Sequence, residues 1–226
     1  MMSILVAIEG IDGAGKGTQT ELLLERLQDA GFSATSLQFP RYSATAFGEA
    51  IGDFLNGRFG SLDHVHPQLA AVLYAGDRFE SKELLLQKIA NHDVVVLDRF
   101  IGSSLAHQCA RLEGAERNGL QQWIERIEHG VFGLPRPDLN LLIDVSSKVS
   151  RELVARKGAR DYTDQEADLQ ESNLPYLEKV RSCYLEIASQ RDDWMLIPGL
   201  DEDERLRSIH EIGDEIFEHV RTLSES

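Results

Sequence analysis

The chain has 226 residues, 42% of them hydrophobic and 27% charged, enough to bury one substantial core without splitting into two domains. Acidic residues outnumber basic ones 38 to 23, a formal charge of -15, which disfavours nucleic acid as a partner, and no run reaches the roughly 18 consecutive apolar residues of a membrane helix. The N-terminus lacks the parts of a secretory leader, so a cytoplasmic location is expected, and Cys109 and Cys183, without CxxC spacing, read as reduced structural thiols.

In chain order, residues 4–8 form a continuous apolar run that predicts a buried strand. It leads into a glycine-rich loop and then a helical period over 16–30, with leucines at 22, 23, 24 and 27. A strand is predicted at 34–39, a long helix at 68–90, a strand at 94–97, and helices at 103–111 and 120–129. Residues 139–145 predict a further strand, 165–189 a helix, 194–197 a strand, and 201–223 a last helix. Several strands are too continuously apolar to have a wet face, and buried parallel strands follow. This alternation gives an α/β, three-layer fold: a parallel five-stranded sheet with helices on both faces, as a single domain over 1–226. The segment 151–168, RELVARKGARDYTDQEAD, breaks helical period with charges and a glycine and reads as a small mobile excursion. The HVH at His64 to His66 lacks a third metal ligand and reads as a surface loop.

GIDGAGK, Gly10 to Lys16, fits G-x-x-x-x-G-K between a strand and an amphipathic helix. In that context the loop is a phosphate cradle. Backbone N–H groups at Gly10, Gly13, Ala14, Gly15 and Gly17 turn inward, the helix N-terminus adds partial positive charge, and Lys16 reaches the terminal phosphates. Gly17 stands where most such loops place a magnesium-binding hydroxyl, and Thr18 follows one position later. Either Thr18 serves with metal held through water, or another group replaces the hydroxyl. VVVLDRFIGSS, Val94 to Ser104, offers Asp98 as the acid at the end of a buried strand near a magnesium ion, with Arg99 beside it at the sheet edge where ligands bind.

GIDGAGKGTQ, FPRY at 39–42, LYAGDR at 73–78 and LDRFIGSSLAHQ at 97–108 together resemble the thymidylate kinases among the P-loop nucleoside-monophosphate kinases. The resemblance implies phosphorylation of dTMP to dTDP with ATP and Mg2+. It further implies that Arg99 and Arg41 hold the acceptor phosphate with Tyr42 and Phe39 nearby, that Asp12 accepts from the sugar 3′-hydroxyl, and that Tyr74 stacks on the base. In the same way it implies that Arg78 reaches the base O4 and that Ser104 and Gln108 meet its polar edge. The 151–168 segment becomes a lid in which Arg156, Lys157 or Arg160 supplies charge to the transferring phosphoryl group, and Asp161 and Asp164 either help hold magnesium or keep the lid soluble. A homodimer built from helices such as 68–90 is implied as well.

His107 departs from the family pattern, in which a tyrosine usually precedes the glutamine. Either the imidazole points into the helix packing and never meets substrate, or it places a titratable proton near deoxyribose and acceptor affinity changes with pH between about 6 and 7. Two other readings stay open on the residues alone: another deoxynucleotide or deoxynucleoside kinase, and an ATP-binding switch with no second nucleotide pocket.

Overall fold

The computed structural model describes residues 3–155 and 173–224. Five parallel strands form one sheet: β1 (Ile4–Glu9), β2 (Ala34–Gln38), β3 (Val94–Asp98), β4 (Leu139–Asp144) and β5 (Trp194–Pro198), in the order β2-β3-β1-β4-β5. Every residue of β3 is buried, as are five of the six in β1, whereas the edge strands β2 and β5 keep polar or exposed positions. That is the pattern of a parallel sheet covered on both faces. Because β1 lies between β3 and β4, the order reverses at the centre of the sheet. The loops after β1 and β3 therefore open side by side at the carboxyl edge, where open α/β sheets bind ligands.

The helices are α1 (Lys16–Asp29), α2 (Ala46–Leu55), α3 (Pro67–Glu80), α4 (Lys82–Asn91), α5 (Ile101–Cys109), α6 (Gly114–Glu125), α7 (Ser147–Ala155), α8 (Leu174–Ser189) and α9 (Ile209–Ser224). α1 packs on β1, β2 and β3 and against α9, while α5 packs against α8, which lies on β4 and β5. Both cysteines are buried and free, on α5 and α8, and burial pushes the Cys109 thiol up to about 12, as expected of structural thiols.

Several elements, α7 among them, differ from the periodicity reading. The helix expected over 68–90 is two helices, because the chain breaks at the buried Ser81, whose hydroxyl accepts from Arg41 Nη1 at 3.1 Å. α2 was not predicted at all. Its sequence AFGEAIGDFL carries two glycines, yet Thr45 caps it by accepting from the Gly48 N–H at 2.8 Å. Gly48 is required there, since a Cβ would lie 2.2 Å from the Arg41 carbonyl oxygen. The helix expected from 201 begins at Ile209, because Asp201 Oδ1 accepts from the backbone N–H groups of Asp203 and Arg205 and holds a turn instead. The helix expected over 120–129 starts earlier, at Gly114, and passes into a π-helical stretch over Arg126–Val131. Of the helix expected over 165–189, the described part starts after the Asn173 cap. Of the excursion, residues 151–155 end α7 and the rest, including Arg156, Lys157, Arg160, Asp161 and Asp164, lies outside the described residues.

Candidate active site

The loop between β1 and α1 is shaped by glycines with positive φ. At Gly10 (φ 145°) a Cβ would come within 2.6 Å of the Ile143 carbonyl oxygen, and at Gly13 (φ 78°) within 2.5 Å of that of Ser150. α1 then opens with neither a side-chain cap nor an acid in its first turn, so its leading N–H groups and dipole are directed to an anion at the loop. Lys16 is buried and donates to the Gly10 and Ile11 carbonyls at 3.0 and 2.8 Å. Burial, reinforced by Arg99, depresses its pKa to about 7 against the opposing pull of Asp12, Asp98 and Glu9.

The departure at Gly17 has a structural counterpart. A Cβ on Gly17 would sit 3.4 Å from Asp98 Oδ2, so the carboxylate lies where a side chain at 17 would begin. Asp98 is itself buried, and Thr18 is half-buried on the next residue. Carboxylate and hydroxyl oxygens of this kind suit a hard divalent cation that keeps waters and phosphate ligands.

Arg99 follows β3 in left-handed conformation, φ 67°, unusual for a residue with a side chain. The adjoining turn is fixed by Glu9, a residue to which the sequence analysis assigns no role. Glu9 is fully buried. Its Oε1 accepts from the N–H groups of Phe100 (2.8 Å) and Ser103 (3.1 Å), and its Oε2 from the Ser103 and Tyr184 hydroxyls at 2.7 and 2.9 Å. So held, the Arg99 guanidinium pairs with Asp12 and donates to the Gly10 carbonyl (3.1 Å) and Ser103 Oγ (3.2 Å). Burial opposes its charge, but Asp12 together with Tyr184, Asp98 and Glu9 outweighs that and holds the pKa well above the usual arginine value. The strand-end acid and arginine are thus not each other's partners: Asp98 faces Gly17, and Arg99 faces the phosphate loop.

Beside Arg99 opens a pocket of about 460 Å³ of empty space, including its mouth. It brings together Asp12, Phe39, Tyr42, Tyr74, Arg78, Arg99, Ser104, His107 and Gln108, all singled out in the sequence, and adds Pro40, Leu55 and Ser103. Arg41 does not join them. Its backbone N–H donates to Asp77 Oδ2 (3.1 Å) and its guanidinium to Ser81, which ties it to the end of α3. The expectation that it holds the acceptor phosphate finds no support in its position.

His107 requires the clearest correction. It lines the pocket but is buried against the Tyr176 and Tyr184 rings, and burial lowers its pKa to about 3, with Asp12 pulling upward and Arg99 and Lys16 downward. The imidazole is neutral across the physiological range and is no pH sensor there. The Tyr176 hydroxyl donates to the His107 carbonyl at 3.0 Å, so at 3.2 Å from Nδ1 it receives the ring N–H. Nε2 is left as a bare acceptor with no hydrogen-bond partner among the described residues. Acceptor KM in wild type and His107→Tyr is therefore expected to follow the same pH profile between about pH 5.5 and 8, a range well above the His107 pKa. A wild-type inflection near pH 6.5 that His107→Tyr removes would contradict this.

A family model described as thymidylate kinase matches residues 8–209. The chain is similar to the thymidylate kinase of Mycobacterium tuberculosis, 33% identical over 203 residues covering 88% of this chain and 93% of the relative. It is also similar to a probable thymidylate kinase of Pyrococcus abyssi, 30% identical over 224 residues covering 98% and 97%. The solved structure of a thymidylate kinase from Candida albicans has the same fold, with a TM-score of 0.75 at 24% identity over 98% of this chain and 92% of that one. The ordered motifs, the sheet order and these matches over nearly the whole chain agree, and the protein belongs to the thymidylate kinase family.

Proposed function

We propose that this protein transfers the γ-phosphoryl group of ATP to the phosphate of dTMP, giving dTDP and ADP. The observation that carries the reading is the placement of Arg99. This fixed cation lies between the phosphate loop and a pocket whose lining includes Arg78, Ser104 and Gln108. One nucleotide lies along the loop and the other fills the pocket. In transfer, the bond from the γ-phosphorus to the β,γ-bridging oxygen breaks as an acceptor phosphate oxygen bonds to the same phosphorus, so two anions must be held together. Arg99 and Lys16 supply the positive charge this demands. Asp12 orients Arg99 and is placed to meet the sugar. Phe39, Tyr42 and Tyr74 form the walls against which a base packs.

In this proposal Mg2+ accompanies ATP, with Asp98 and Thr18 as the protein's oxygen donors near it. When bound, the ion neutralises phosphate charge and aligns the oxygens. Among the described residues no cluster of three or more His, Cys, Asp or Glu could hold a metal unaided, which suits an ion carried by phosphates. The basic residues of 151–168 act as the lid that completes the charge around the transferring group. The exposed apolar side chains Leu69 and Phe79 on α3 and Phe47 on α2 favour a homodimer through that face. No described helix is long and apolar enough to cross a membrane, and we assign the protein to the cytoplasm, as one catalytic domain.

A coupled assay of ADP release with dTMP, dUMP, dCMP, dGMP, dAMP and thymidine tests the function. Turnover is expected with dTMP first and dUMP second, and little with thymidine, which lacks the phosphate that Arg99 would hold. Equal turnover of all the monophosphates, or ATP binding without any transfer, would overturn it.

A further inference from the structure

The end of α6 carries an acid in a place reserved for the core. Leu120 and Ile124 are its buried face, and Glu128, four residues on along that line, is fully buried where an apolar side chain would be expected. The helix runs there as the π-helical stretch Arg126–Val131, with the Phe132 N–H donating to the Ile127 carbonyl at 2.8 Å and the Leu134 N–H to that of Glu128 at 2.9 Å. Such widened turns are common at functional sites because they redirect a side chain.

Glu128 points at Arg78 of α3. Nε of Arg78 donates to Oε2 and Nη2 to Oε1, both at 2.6 Å, a two-point pair with both side chains almost wholly out of solvent. The second Nη2 hydrogen goes to Ser104 Oγ at 2.5 Å, and Nη1 donates to the Phe100 carbonyl at 3.3 Å. A guanidinium has five N–H donors, so one Nη1 hydrogen remains, on a residue that lines the pocket. Arginine cannot accept, so Ser104 is the acceptor of its bond with Arg78 and keeps its own hydrogen to donate. Gln108 Nε2, on the same wall, is buried without a hydrogen-bond partner among the described residues. The base end of the pocket therefore presents N–H and O–H donors to an incoming ring.

We infer that Glu128 is a positioning residue of the acceptor site: by fixing the Arg78 guanidinium it aims an N–H donor at the base, which admits pyrimidine monophosphates with a 4-oxo group and rejects those with a 4-amino group. A carbonyl satisfies these donors. An exocyclic amine sets donor against donor and leaves buried groups unpaired, the arrangement that discriminates most strongly. The inference rests on the proposed acceptor reading, and wild-type turnover of dTMP tests that reading separately.

The experiment is steady-state kinetics on Glu128→Gln and on the double variant Arg78→Met with Glu128→Met, with dTMP and dCMP as acceptors. Glu128→Gln is expected to raise KM for dTMP by about tenfold or more and to lower the dTMP to dCMP ratio of kcat/KM by a similar factor. KM for ATP should stay within about twofold and kcat should fall less than KM rises. Glu128→Asp, which keeps the charge, should recover part of the discrimination. Because Glu128→Gln leaves a buried cation without its counter-ion and so endangers folding, the double variant decides if the single one is lost: it replaces the pair by apolar side chains and should fold. Its dTMP to dCMP ratio should fall by at least as much. If a folded variant of either kind has a lower melting temperature but wild-type acceptor KM and wild-type discrimination, Glu128 is a core ion pair only and the inference is wrong.

Discussion

Lys16→Met is expected to lower turnover by about 10²–10³-fold or more while leaving the circular dichroism spectrum native. The side chain's hydrogen bonds go to carbonyls of its own loop and it is not part of the apolar core, whereas the charge it brings to the phosphates has no substitute in the first turn of α1. Its depressed pKa, about 7, adds two measurable consequences. At pH 8 the amine is mostly neutral before nucleotide binds, and the incoming phosphates favour the charged form. Calorimetric titration in buffers of different ionisation enthalpy should therefore show ATP binding accompanied by proton uptake, absent in Lys16→Met. The second concerns stability. The unfolded chain, with lysine near its ordinary value of 10.5, binds more protons than the folded one between about pH 7 and 10.5. This group's contribution therefore rises with pH across that window, and the urea midpoint of the wild type should gain on that of Lys16→Met over the same range. Near-normal turnover in the variant would remove the phosphoryl-transfer reading.

Arg99 should produce the other large loss. Replacing it by Met is expected to lower kcat/KM for dTMP by about 10³-fold, since its guanidinium lies against both the phosphate loop and the pocket and its ion pair with Asp12 is lost. Backbone strain at φ 67° offers a control. Arg99→Gly tolerates that conformation, whereas Met must bear a cost of about 1–2 kcal/mol there. The two variants should be equally poor catalysts, with the glycine form no less stable in urea. If Arg99→Gly retains much more activity than Arg99→Met, the turn matters through its shape and the guanidinium does not act on the phosphates.

The pocket beside Arg99 was legible residue by residue because its members fall on short ordered motifs. Phe39, Tyr42, Tyr74, Arg78, Arg99, Ser104 and Gln108 were named from spacing and resemblance, and they converge on one cavity. Arg41 was named in the same way and turns aside, since its direction is set by Asp77 and Ser81 on another helix. Glu128 left one trace in the sequence, an acid in line with Leu120 and Ile124, easily taken for a solvated position. Glu9 left none that distinguishes it from a strand-terminal acid.

By itself, the sequence determined the phosphate loop, the parallel sheet and the family, because these depend on local order: apolar runs of strand length, glycines where φ is positive, and a lysine at a fixed offset. Tertiary structure alone decided which groups meet and what charge they carry. His107 is neutral because Tyr176, Tyr184 and α8 bury it, Lys16 sits near neutrality because its loop folds over it, and Arg78 faces the pocket because an acid 50 residues later holds it there. Desolvation and pairing are properties of the space around a group, and that space is assembled from segments distant in the chain.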